Sequence, residues 1–164
     1  MLEDYEAALF FFAKATRLYR TIGDKVSYAY TLWGLGTAYK MTGKHQRARD
    51  QMMKAMQLFK ETKDPRGISY CRLGLGEIAF LTGDITRAEK HLVSARKASA
   101  KHHFAVEDCH AKTLHRIMNI QRAAMSSFAQ RKNGKSTREG IPRESCYQRL
   151  GLNLRFHSLP LNIP

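Results

Sequence analysis

The chain has 164 residues, 43% of them hydrophobic, which is enough for one domain with a core of its own. Its 28 Lys and Arg against 14 Asp and Glu leave a net charge of +14, which draws it toward anionic partners or surfaces. No apolar run approaches the ~20 residues needed to cross a bilayer. Acidic Glu3, Asp4 and Glu6 precede the short apolar stretch 9–13, which does not suit a secretory leader. Cys71, Cys109 and Cys146 lack paired spacing and point away from a disulfide framework. A soluble, cytoplasmic protein is the default expectation.

In chain order, residues 3–20 place Ala8, Phe12, Ala15 and Leu18 at helical spacing. The same residue classes return 40 positions later as Ala48, Met52, Ala55 and Leu58. Residues 27–41 form a second predicted helix with Tyr30, Leu32, Trp33, Leu35, Ala38, Tyr39 and Met41 on its apolar side. Gly34 and Gly36 each cost about 1 kcal/mol inside a helix, a cost expected where another backbone must come close. Gly43 is placed to end that helix in a left-handed turn. A third helix is expected over residues 45–61, and Asp64-Pro65 then closes one unit and caps the next helix.

The next unit repeats the first. Tyr30 falls on Tyr70, Gly34-Leu35-Gly36 on Gly74-Leu75-Gly76, Thr42-Gly43 on Thr82-Gly83 and Arg47-Ala48 on Arg87-Ala88. A helix over residues 85–101 completes it. Residues 104–128 read as one more helix, with Leu114, Ile117, Gln121, Ala124, Met125 and Phe128 at helical spacing. There His115-Arg116 stand in the Leu-Gly positions, and the pattern decays as in a capping helix. Residues 131–164 carry 7 basic and 2 acidic side chains, have no periodicity, and read as a basic disordered tail. A fixed period of this length is the mark of a solenoid, in which each unit buries its apolar face only by stacking on the next.

The run Leu32, Leu35-Gly36, Tyr39, Gly43, Ala48, Met52, Ala55 resembles the tetratricopeptide repeat, and so does Arg72, Leu75-Gly76, Ala79, Gly83, Ala88, Leu92, Ala95. The 40-residue spacing looks like the long-repeat type of that family. The resemblance implies an all-α solenoid of about six helices in a repeat domain over residues 1–130. Its parts would be a half repeat 3–22, repeats 24–62 and 64–102, and a degenerate helix 104–129. It also implies a non-catalytic scaffold that holds a protein or peptide segment on its concave face. The ligand-facing positions would be Tyr30, Trp33, Thr37, Lys40, Met41, Tyr70, Leu73, Glu77, Phe80 and Leu81. The family's chaperone-binding type clamps a terminal carboxylate with Lys and Asn. Here Trp33 and Leu73 replace the lysine, and Thr37 and Glu77 the asparagine, so no such clamp is expected.

Other chemistry finds less support in the residues. His103, Glu107 and His110 share one helical face, yet no second cluster completes a metal site, and no metal or cofactor is expected. The paired glycines lack the strand and later glycines of a phosphate loop. No serine or cysteine lies in a nucleophile motif, so no enzyme activity is expected. The alternative class is a basic helical repeat that associates with RNA, DNA or an acidic surface. It would use Lys44, Arg47, Arg49, Lys54, Lys60, Arg87, Lys90, Arg96, Lys97 and Lys101 on the second helix of each unit. The starting half repeat leaves the face of Leu9 and Phe12, with Phe10 or Phe11 beside it, partly uncovered, and self-association through it is expected.

Overall fold

The computed structural model describes residues 4–131, with side chains as far as residue 124. The basic tail expected over residues 131–164 therefore lies almost wholly outside the described residues. Six helices follow in order: α1 (Tyr5–Ile22), α2 (Lys25–Met41), α3 (His45–Glu61), α4 (Pro65–Leu81), α5 (Ile85–His102) and α6 (Ala105–Arg131). No strand occurs among the described residues. None of these helices is long and apolar enough to cross a membrane.

Local chemistry sets most of the boundaries. Asp4, Asp24, Asp64 and Asp84 each cap a helix by accepting a backbone N–H of its first turn. Asp64 accepts from Arg66 and Gly67 at 3.0 and 2.9 Å, with Pro65 in the first turn where its missing N–H costs nothing. Each connection then needs a left-handed residue. Gly23 supplies it after α1 and Gly43 and Gly83 inside the units, but Lys63 at φ 55° and His103 at φ 56° do so after α3 and α5. A side chain in that region costs roughly 1–2 kcal/mol, so Lys63→Gly is expected to raise the melting temperature by a few degrees. Thermal unfolding followed by circular dichroism checks this, and a lower melting temperature would show that Lys63 makes a compensating contact.

Consecutive helices pack in antiparallel succession. α2 also touches α4, and α4 touches α6, whereas α1, α3 and α5 do not pack on one another. Helices that meet their next-nearest neighbours lie on the shorter, inner side of a curved stack, so α2, α4 and α6 form the concave layer. The glycines explain how closely the layers approach. A Cβ on Gly34 would lie 2.4 Å from the Phe12 ring, one on Gly36 2.7 Å from Met52 Cγ, and one on Gly74 2.5 Å from Met52 Sδ. Met52 of α3 is thus wedged between α2 and α4, and Phe12 of α1 takes the matching place against α2. Arg116 of α6 stands two periods after Gly36 and is exposed. The glycine that lets Met52 approach α2 at Gly36 therefore has no counterpart on α6.

Cys71 is a free thiol sealed in the core, and burial pushes its pKa up to about 12. Cys109 is also buried, on α6.

Candidate peptide-binding groove

The concave layer is built from the inner faces of α2, α4 and α6. α2 brings Tyr30, Trp33, Thr37 and Lys40, all half-buried, and Met41, which is exposed. Trp33 stacks on Tyr70 of α4, with ring centroids 5.1 Å apart and planes inclined by 28°. The Tyr30 hydroxyl donates to Asp64 Oδ2 at 2.8 Å, and its ring meets Phe59 edge-on at 4.7 Å. Burial first, and then this acidic partner, push the Tyr30 pKa up to about 12. One aspartate therefore caps α4 and fixes the phenol of α2.

α4 presents a different surface. Leu73 and Phe80 are 2% and 8% exposed and belong to a core cluster with Ala88, Leu92, Ala111, Leu114 and Met118 of α5 and α6. Tyr70 and Leu81 stay half-buried at its two ends. Of the ten groove positions expected from the sequence, Leu73, Phe80 and Glu77 are packed in the interior, and the other seven keep some accessible surface. The physical reason is that α4 is flanked by inner helices on both sides, α2 and α6, which cover its central turns.

Glu77 joins the three inner helices. Its carboxylate pairs with the Lys40 ammonium from α2 and with His110 Nε2 from α6. Burial raises its pKa, but the Lys40 charge and the His110 contact outweigh burial and hold it at about 2, well below the usual 4.5. The one cation and one anion expected in the groove thus largely cancel. Sequence reasoning missed the share of α6. His110 stands one period after Tyr70, and Thr113 and Ile117 follow on the same half-buried face. Carrying the 40-residue period one step further would have found them.

The trio His103, Glu107 and His110 is divided among different partners. His103 ends α5 in a left-handed turn, and His110 turns to Glu77. Glu107 is buried and faces Arg66 Nε at 2.8 Å, while the Arg66 guanidinium also covers the Phe104 ring at 4.8 Å. No group of three potential metal ligands occurs among the described residues.

At the open end of the layer a crevice of about 320 Å³ lies between α1 and α2, lined by Phe12, Tyr19, Ser27, Tyr30, Thr31 and Trp33. The outer helices carry the opposite character. Arg47, Arg49, Lys54, Lys60, Lys90 and Lys97 are exposed on α3 and α5, against few acidic neighbours.

No curated protein and no solved structure matches the chain. The family model described as tetratricopeptide repeat matches residues 1–61, the stretch that holds α1 to α3. α4 and α5 then repeat the glycine-packed helix pair of α2 and α3 beyond the stretch that is similar to the tetratricopeptide repeat.

Proposed function

We propose that the protein is a non-catalytic scaffold that holds a segment of another protein along the concave layer of α2, α4 and α6. Tetratricopeptide repeats generally mediate protein–protein interactions and generally lack catalysis of their own. The observation that carries the reading to this face is the half-exposed Trp33–Tyr70 stack beside an internally neutralised Lys40–Glu77–His110 group. Rigid aromatic surface with little net charge suits apolar anchoring of a peptide, and aromatics are enriched among binding hot spots. The crevice beside Trp33 offers such a segment a place for an apolar side chain. A carboxylate clamp is not part of this reading, because the one lysine of the groove already has its acid. The repeat domain over residues 1–130 and a cytoplasmic location remain parts of the proposal.

The cationic outer faces of α3 and α5 favour a second reading, association with nucleic acid or an acidic surface. One experiment separates the two. A partner segment recovered by affinity capture is titrated calorimetrically against Trp33→Ala and against the double reversal Arg49→Glu, Lys90→Glu. The groove reading expects Trp33→Ala to lose about 1–3 kcal/mol of binding. The reversals should mainly change the association rate and salt dependence. If the reversals abolish binding while Trp33→Ala leaves it intact, the outer face is the functional one.

A further inference from the structure

The antiparallel helices bring the α1–α2, α3–α4 and α5–α6 connections to one edge of the stack. The repeat keeps this edge open in every unit. Val26, Arg66 and Val106 hold one place at 40-residue intervals, and Arg66 in the middle of the stack is exposed like the two valines. Gly23, Lys63 and His103 hold another such place, and all three are exposed. Solvent access here follows from the register of the repeat and not from a missing neighbour. Cations stand on this edge where the backbone gives them no help. Lys63 and His103 take the left-handed conformation in which Gly23 is free of strain. Lys25 and Arg66 are the first and second residues of α2 and α4, at helix ends that the backbone dipole already makes positive.

Little acid offsets this charge. Arg66 has buried Glu107 as a partner but keeps half of its side chain exposed, and Lys25 meets only the solvated Glu61 at 3.5 Å. Lys60 and Lys101, in the last turns of α3 and α5, make no ion pair among the described residues. Asp24 and Asp64 are engaged in helix caps. On the opposite edge Lys44, Arg87 and Arg122 each face an acid, Glu6, Asp84 and Glu89. Among the cations of the loop edge, Val26 and Val106 stand 44% and 40% exposed. We propose that this edge is a peripheral contact for an anionic lipid surface, separate from the concave layer. Its lysines and arginines face the headgroups, and the valines reach the boundary with the acyl chains. Nucleic acid fits less well, because a bound strand needs free aromatic faces for its bases. Phe104 already carries the Arg66 guanidinium at 4.8 Å and the His102 ring at 5.4 Å.

Sedimentation of the full chain with vesicles provides the test. Phosphatidylcholine vesicles containing phosphatidylserine should retain the protein, pure phosphatidylcholine vesicles should not, and added salt should release it. Lys63→Glu combined with Lys101→Glu should weaken retention roughly tenfold or more. Arg49→Glu combined with Lys90→Glu on the outer helices changes the net charge equally and should weaken it far less. Val26→Ser combined with Val106→Ser leaves the charge untouched and should weaken retention roughly fivefold. Circular dichroism should be the same for all of these proteins, because every substituted side chain is exposed. Equal retention on neutral vesicles overturns the proposal, as does an equal loss in the two charge-reversed pairs or indifference to the valine pair. A single-stranded oligonucleotide bound more tightly than the vesicles, and lost with Lys63→Glu and Lys101→Glu, would give the edge to nucleic acid and likewise overturn it.

Discussion

Glu77→Ala should cost about 3–5 kcal/mol of folding stability, the range for breaking a buried ion pair from one side. The Lys40 and Glu77 side chains are only 14% and 12% exposed, so removing the carboxylate strands an ammonium group in the interface between α2 and α4. It also deprives His110 of its acceptor and so loosens α6. Glu77→Gln keeps the shape and should cost less, and replacing Lys40 and Glu77 together with apolar residues should recover much of the loss.

The same group predicts a pH dependence. Because the folded-state pKa lies below the ordinary value, the carboxylate contributes its stability fully above pH 4.5, and the contribution fades as the pH falls toward about 2. The gap corresponds to about 3 kcal/mol. Urea midpoints measured between pH 7 and pH 2 should therefore fall steeply in the parent, and less steeply in Glu77→Gln. Equal slopes in the two proteins, or a loss below about 1 kcal/mol in Glu77→Ala, would show that the three helices are held by packing alone.

Phe59→Ala is the second substitution expected to act strongly, at about 3–5 kcal/mol. Phe59 is fully buried between α3 and α4, under the edge-on ring of Tyr30. Its ring covers Gly67 so closely that a Cβ there would lie 2.3 Å away. Glycine has no side chain with which to refill the space, so the cavity left by alanine should collapse poorly. The converse change, Gly67→Ala, forces the ring aside and should cost about 1–3 kcal/mol. Combining Gly67→Ala with Phe59→Leu should cost clearly less than the two changes added. Denaturant unfolding of the four proteins gives the coupling, and strict additivity would mean that the two sites relax independently. One period on, Ser99 and Glu107 occupy the places of Phe59 and Gly67, and both are buried. There the larger side chain stands on the α6 side of the joint and pairs with Arg66.

The helix pairs and the Asp64 cap were readable from residues alone, and Asp24 follows the same rule, because each rests on local chemistry. Asp24 and Asp64 cap through neighbours three residues away, and Gly43 needs only its own φ. Gly34, Gly36, Gly74 and Gly76 announced a close approach, and what comes close is mainly the side chains of Phe12, Met52 and Leu92 rather than another backbone.

What the tertiary structure alone decided is how open each groove position is. A period of 40 residues aligns Trp33 with Leu73 and Lys40 with Phe80, yet the first of each pair is half-buried and the second buried. The sequence pattern reports which face of a helix is turned inward. It does not report how many neighbours cover that face, and α4 has two inner neighbours where α2 has one. The same holds for the Lys40–Glu77–His110 group, whose members lie 37 and 33 residues apart. Ion pairs across such separations depend on the distance between packed helices, which is set by the glycines and by Met52, and no local spacing encodes it.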